Sequence, residues 1–298
     1  MKRYRLKGHG GFFMREGWFA KGLTEVAANP RLFTKENYLG ADALGVGSAM
    51  ARAIKYWMMV CGLTKEIRGV GTTLTEMGKM IAEQDLYLEE IFTIWLLHIQ
   101  VASNAEKATI CHLFFECMPM GEFTREQMQE NLHRELLRFS GGKEISERSF
   151  TDDCHTFLQM YAGQTDKTQD PEDKKRSVFA KLHLITNNFQ GCRRERAAMD
   201  RLPKEIVLLV LLGIMPERQG ESIEKLLTCE NGPGKLLSLD RILLNEYLDM
   251  LEEDGYVRIN RTAGLDMVYL SEKVPEALEI IRNYYEKRQG QKLQGRTV

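Results

Sequence analysis

Apolar residues recur at helical spacing along most of this chain, and the elements they predict are short helices punctuated by glycine. A glycine-rich, strand-like piece from Gly8 to Met14 leads into a helix from Trp18 to Ala28, which Asn29-Pro30 stops. Thr34 caps a short helix through Tyr38, and Ala41 to Leu44 reads as one further turn. After the tight turn Gly45-Val46-Gly47, a longer helix runs from Ser48, its predicted N-cap, to Cys61. Met50, Ile54, Trp57, Met58 and Cys61 share its inner face, whereas Arg52, Lys55 and Met59 lie on another. Gly62 ends it, Lys65 to Thr73 forms a hairpin with Gly69 and Gly71 near the tip, and Thr75 to Glu83 is again helical.

The middle of the chain predicts helices from Leu86 to His98, Ala105 to Met118, Phe123 to Phe139 and Ser149 to Tyr161. Thr124 and Gln127 have capping-box spacing, and Gly141-Gly142 breaks the chain between the last two. Gly163 to Lys175 is polar and reads as a linker. A nearly all-apolar helix from Lys204 to Leu212 follows, then a short helix from Ser222 to Cys229 and a loop over Asn231 to Gly234. Leu239 to Asp254 is a helix capped by Gly255, with Leu243, Leu244, Tyr247, Leu248 and Leu251 inward. A hairpin of Tyr256 to Ile259 and Leu265 to Leu270, around Thr262-Ala263-Gly264, precedes a last helix from Val274 to Arg288.

Helix, glycine turn, longer helix and hairpin, occurring twice, predict a mainly α, multi-domain protein with winged helix-turn-helix units and small β-hairpin wings. The expected domains are 1–84, an N-terminal arm with a winged-helix-like DNA-binding unit; 85–165, a helical middle domain; 166–203, a polar linker and basic helix; and 204–298, a C-terminal winged-helix-like domain.

The chain has 298 residues and 43% hydrophobic content, enough for a buried core. Its formal net charge is −1, so any basic surface must be local. One such concentration is the N-terminus, where Lys2, Arg3, Arg5, Lys7, Arg15 and Lys21 face only Glu16; Arg193, Arg194, Arg196 and Arg201 form another. Cys61, Cys111, Cys117, Cys154, Cys192 and Cys229 lie scattered in apolar stretches without a CxxC pair, as expected for reduced, buried thiols of a cytoplasmic protein. The longest apolar run, Ile206 to Met215, is about half of the roughly 20 residues that span a bilayer, so no membrane association is expected.

A helix entering the major groove needs a polar or basic outer face, and its wing needs cations for phosphate. Arg52 and Lys55 on the helix, with Lys65 and Arg68 on the hairpin, supply both; the same residues also suit a solvated helix face and an ordinary surface loop. The C-terminal counterpart carries Asp249, Glu252, Glu253 and Asp254, which repel phosphate, so packing or partner binding is expected there, with DNA contact limited to Arg258 and Arg261. His98, Cys111, His112 and Cys117 lack metal-ligand spacing and read as core, so no metal site is expected. Glu172 and Lys174 have a Glu-x-Lys spacing known from nucleases but sit in the polar linker. Asp152, Asp153 and His155 open a predicted helix, where the macrodipole alone explains their acidity.

Gly8-His9-Gly10-Gly11-Phe12, then Arg15, Gly17-Trp18 and Lys21-Gly22, resembles the opening signature of the family catalogued as domain of unknown function 4007. That signature reads Gly-His-Glu-Thr-Phe, two residues, Arg, one residue, Gly-Trp, then Lys-Gly. Leu44 to Trp57, with Gly45, Gly47, Met50, Arg52, Lys55 and Trp57, is similar to the second block, and Asp85 to Glu90 with Ile94 to His98 to the third. Phe150 to Tyr161, followed by Glu172-Asp173, is similar to a later, looser block. The resemblance is collinear over most of the chain. It implies a DNA-binding accessory protein of a bacterial DNA phosphorothioation system, which replaces a backbone oxygen by sulfur in modification and phage defence. Implied partners are DNA and sulfur-transfer proteins such as a sulfurtransferase or cysteine desulfurase; a homodimer is possible. Of its matching residues, Arg15, Lys21, Arg52 and Lys55 are chemically suited to DNA and join Lys65 and Arg68 of the hairpin as the expected DNA contacts, whereas Trp18 and Trp57 read as core. Part of the family is credited with nicking, which makes His9 a candidate catalytic residue and requires a divalent metal; otherwise no cofactor is expected. Here Gly10-Gly11 stand where the signature has Glu-Thr, which leaves His9 without that carboxylate. A metal-dependent nickase and a winged-helix transcription regulator are the alternative functions.

Overall fold

Glycine, proline and short capping side chains set the limits of the elements in this computed structural model, which describes residues 3–162, 177–188, 191–216, 219–261 and 266–294. The predicted linker over 163–175, including Glu172 and Lys174, and the hairpin tip at 262–264 lie outside the described residues, as does Lys2. The chain is mainly α with small antiparallel sheets and divides into two compact units, Met1–Ala197 and Ala198–Val298.

The first unit opens with α1 (Trp18–Ala28), a 3-10 helix (Lys35–Gly40), α2 (Ala41–Leu44) and α3 (Ser48–Val60). The hairpin of β1 (Thr64–Ile67) and β2 (Gly71–Leu74) leads to α4 (Glu76–Gln84), α5 (Ile91–Ala102) and α6 (Thr109–Cys117). After them come β3 (Gly121–Phe123), α7 (Arg125–Ser140), α8 (Glu147–Tyr161), a second 3-10 helix (Val178–Leu182), β4 (Ile185–Asn188) and β5 (Gly191–Arg194). Helix α1 runs over the predicted residues, and α7 starts in the predicted capping box of Thr124 and Gln127.

Several local expectations are corrected. Ser48 is the first residue of α3 rather than its cap; Gly47 holds that position without a side-chain bond. Residues 8–14 are turns and irregular chain, because Gly10 and Gly11 adopt φ +61° and +85°, which no strand accommodates. Helix α5 starts at Ile91, not Leu86, because the Asp85 carboxylate ties the preceding residues into a turn: it accepts from the N–H of Glu89 at 2.8 Å and Glu90 at 3.1 Å, and from Thr93 Oγ1 at 2.6 Å. The arginine-rich stretch read as a basic helix forms β5, the centre of a sheet in the order β3-β5-β4, followed by irregular chain. Arg194 there is buried, its guanidinium donating to the carbonyls of Phe114 and Met118 at the end of α6 and lying over the Phe114 and Phe115 rings. Burial pulls its pKa down to about 10. Arg193 faces Glu195 at 3.4 Å and Glu122 at 3.8 Å, so these residues fasten a sheet to a helix instead of forming a basic patch. Cys117 is exposed and Cys229 half-buried; the other cysteines are buried.

The second unit contains α9 (Lys204–Ile214), β6 (Glu221–Ser222), α10 (Ile223–Thr228), α11 (Pro233–Leu236), α12 (Arg241–Glu253), β7 (Val257–Asn260), β8 (Met267–Leu270) and α13 (Ala277–Gln294). Pro233 and Gly234, expected in a loop, open the helical turn α11, with Pro233 at its first position, where a missing N–H costs nothing. Ile206 to Leu211 of α9 are buried, α9 packs on α11, α12 and α13, and α12 turns Leu244, Tyr247, Leu248 and Leu251 inward; the sheet has the order β6-β8-β7. Each such Leu or Ile contributes roughly 1.5–3 kcal/mol of burial. The Tyr247 hydroxyl donates to Leu202 O at 2.8 Å, and burial raises its pKa. No helix among the described residues is long and apolar enough to cross a membrane.

Candidate nucleic-acid interface

Helix α3 is buried over most of its circumference. Ala51, Ala53, Ile54, Tyr56, Trp57, Met58 and Val60 face the core. What remains outside is Ser48, Ala49 and Arg52, exposed, with Met50, Lys55 and Met59 half-exposed; Met50, expected on the inner face, is thus only partly covered. This outer strip continues onto the hairpin because Lys55 Nζ reaches Glu66 of β1 at 2.9 Å and also lies 5.6 Å from the Phe33 ring centre. Glu66 accepts from Thr72 Oγ1 across the hairpin at 2.5 Å. Its partial burial pushes the carboxyl pKa up, but the bonds from Thr72 and Lys55 outweigh this and hold it below the usual glutamate value. Arg52, Lys65 and Arg68 are exposed, and no described carboxylate pairs with them. The structure thus joins helix and hairpin through Lys55 and leaves three cations of the predicted set open to solvent.

The other predicted contacts are placed differently. Lys21 is exposed but donates to Leu44 O at 3.1 Å, steadying the turn that enters α3. Arg15 is half-buried, its guanidinium over Trp18 at 5.3 Å and Phe13 at 5.8 Å. Trp18 and Trp57 are core residues, and the Trp57 indole N–H donates to Phe12 O at 2.8 Å.

His9 does have a carboxylate, supplied from far along the chain. Its Nε2 lies 3.1 Å from Asp153 Oδ1, with both side chains about nine-tenths buried or more. Gly11 N–H donates to Nδ1 at 3.1 Å, which places the ring proton at Nε2, toward Asp153. The ring stacks on Trp57 at 5.5 Å and 9°. Asp153 also accepts the Lys7 N–H at 3.0 and 3.1 Å, and Lys7 Nζ pairs with Asp152 at 2.6 Å. The departure at Gly10-Gly11 therefore does not isolate the histidine: the two glycines turn the chain so that His9 reaches α8. The macrodipole does not explain Asp153, since α8 begins at Glu147 and Asp153 lies nearly two turns inside it. A signal was legible. Asp153 follows Phe150 by three residues and precedes Phe157 by four, inside the apolar stripe of α8, whereas Asp152 falls outside it.

A family model described as protein of unknown function, DUF4007, matches residues 6–285. The chain belongs to the DUF4007 family. Two crystal structures share its fold: one of SspB with bound magnesium ion (TM-score 0.80) and one of SspB alone (TM-score 0.79). Each is 20% identical, covering 94% of this chain and 88% of the other. A comparison with curated proteins finds no match.

Among the described residues no three His, Cys, Asp or Glu side chains converge. His9 and Asp153 are committed to each other and to backbone N–H groups, with the Lys7 ammonium beside them. His98 and His112 belong to the core, with Nδ1 2.8 Å from Tyr161 Oη and 2.9 Å from Ala102 O respectively.

The second unit's helix and hairpin are joined with opposite polarity. Asp249 of α12 pairs with Arg261 at 2.5 Å, and Glu252 accepts the Ile259 N–H at 2.6 Å. Asp254 pairs with Lys204 at 2.6 Å, and the Arg258 guanidinium lies 5.0 Å from the Tyr269 ring centre. Arg258 and Arg261, the cations expected at DNA there, each make a contact within their own unit.

Proposed function

We propose that this DUF4007 protein binds duplex DNA through α3 and the β1–β2 hairpin, as an accessory protein of a DNA phosphorothioation system. The observation that carries the DNA contact is the set Arg52, Lys65 and Arg68, exposed and with no carboxylate partner among the described residues, in a chain of net charge −1. On this reading α1, α2, α3 and the hairpin act as a winged helix-turn-helix, with α3 toward the major groove and β1–β2 as the wing. Lys55 contributes part of its charge, Lys21 flanks the turn into α3, and Arg15 supports the arm. The second unit, with the order helix, strand, helices, hairpin, is a winged helix whose acidic α12 faces a protein, such as a sulfur-transfer partner, in the cytoplasm. The system assignment rests on the family resemblance of the motif blocks.

Fluorescence anisotropy with a labelled duplex over a range of salt tests the contact. Each phosphate contact contributes about 0.9 to the slope of log K against log salt, so Arg52→Ala/Lys65→Ala/Arg68→Ala is expected to lower that slope by about 3. An unchanged slope removes this surface from the proposal. Selection from random duplexes tests the regulator alternative, which enriches one palindrome. The system assignment predicts that deleting the gene removes sulfur from chromosomal DNA, read by mass spectrometry of its nuclease digest. Metal-assisted nicking is an outcome to check with supercoiled plasmid and magnesium, using His9→Ala as the control; no ligand set among the described residues favours it.

A further inference from the structure

The apex of the β1–β2 hairpin presents two aliphatic side chains to solvent, Ile67 at 40% and Val70 at 46% exposure. They bracket Arg68 and Gly69 in a turn closed by Val70 N–H onto Ile67 O at 3.0 Å, with Gly69 at φ +81°. Single exposed aliphatic residues are ordinary, but this pair flanks an unpaired arginine at the most projecting point of the hairpin and adds nothing to the core. The strand that returns from this apex is anchored at its first two residues. Thr72 N–H donates to Pro30 O at 2.8 Å. Gly71, at φ +121°, passes so close to Pro30 that a Cβ there would strike its carbonyl oxygen. The Lys55–Glu66–Thr72 bridge fixes the other strand. A stiff arm therefore ends in Ile67-Arg68-Gly69-Val70, with Lys65 further down its side.

We infer that this tip is a minor-groove wedge. The inference rests on the proposed DNA contact and specifies its geometry. The minor groove is narrow and electrostatically negative, which suits one guanidinium on a slim turn. Aliphatic side chains beside it replace base–base stacking with apolar contact, opening a base step so that the duplex untwists and kinks. Gly69 keeps the apex thin, and the anchored strand directly behind it supplies the leverage that a mobile loop lacks. Arg68 provides the attraction, and Ile67 and Val70 provide the deformation.

The test uses full-length protein and a closed circular plasmid relaxed by a metal-independent topoisomerase I in EDTA. After protein removal, the linking number reports untwisting at any bound sequence. The wild type is expected to retard the plasmid and to lower its linking number in proportion to the protein bound. Ile67→Ser/Val70→Ser is expected to retard it as well but to leave the linking number at the protein-free value. Retardation by the wild type without a linking-number change overturns the wedge and leaves the DNA contact standing, as does a double-serine variant that untwists as much as wild type. No retardation by the wild type overturns the DNA contact itself, and the wedge with it.

Discussion

The two units solve one local problem, tying a helix to the hairpin that follows it, with opposite signs. In the first, the helix supplies the cation and the strand the carboxylate, Lys55 to Glu66; in the second, the helix supplies the carboxylate and the hairpin the cation, Asp249 to Arg261. What is left over differs accordingly. Arg52, Lys65 and Arg68 remain open around the first joint, whereas the second leaves Glu246 and Glu253 exposed on α12. The interiors differ as well. Among the described residues, the buried histidine, carboxylate and arginine side chains His9, Asp85, His98, His112, Asp153 and Arg194 all belong to the first unit, and the second adds only Ser238 to these buried polar groups. A helix followed by a hairpin therefore says little about function by itself. Which charges the joint consumes decides what the surface offers.

The largest effect is expected where the first unit buries a pair that the second lacks. Asp153→Ala removes the acceptor of the His9 ring and of the Lys7 N–H and is expected to cost about 3 kcal/mol. Trp18, Trp57 and Trp95 all lie in the first unit, so urea unfolding followed by tryptophan fluorescence isolates its stability. A loss below 1 kcal/mol on the scale of an exposed pair would erase the contrast between the interiors. Next comes Gly71→Ala, which drives a methyl group into the Pro30 carbonyl at a positive φ; more than about 1 kcal/mol is expected in the same assay.

Glu66→Gln separates the joint from the binding face. The Glu66 pKa is depressed in the folded protein, so its contribution is present above the unfolded glutamate pKa and disappears as pH falls through the folded value. The side chain is half exposed, so the variant is expected to lose less than about 1 kcal/mol at neutral pH and nothing at low pH. It also frees the rest of the Lys55 charge, and the slope of DNA affinity against salt is expected to steepen by less than about 0.9. Weaker DNA binding in this variant would mean that the joint, rather than the cations, makes the surface. The smallest effect is expected in the second unit: Asp249→Asn breaks an exposed pair and is expected to shift stability by less than about 1 kcal/mol, read by hydrogen exchange in α12, with DNA affinity unchanged.

Much of this was legible because it is local. Apolar period, capping boxes and glycine stops are written within a few residues of the structure they cause, and so α1, α2, α7 and both outer hairpins were recoverable in place. The sheet β3-β5-β4 was not, since its three-to-four-residue strands are too short to show a period and β3 pairs with β5 across about 70 residues of chain. The arginines of β5 read as basic surface because composition does not reveal that carbonyls at a helix end will surround Arg194.

At the candidate site the division is the same. The amino-acid sequence by itself determined which cations stand on the outer strip of α3 and on the hairpin, because helical and strand periods fix the side of an element on which a residue lies. Family membership was equally present in the ordered blocks around His9, Gly45 and Asp85. Only the tertiary structure decided which of those cations stay free, since Glu66 takes Lys55 across a joint between two elements and Leu44 O takes Lys21. It alone joined His9 to Asp153, 144 residues apart, because a buried imidazole takes whatever acceptor the packing of α3 and α8 brings to it. Pairing is a property of distance in space, and spacing along the chain carries that distance only within one element.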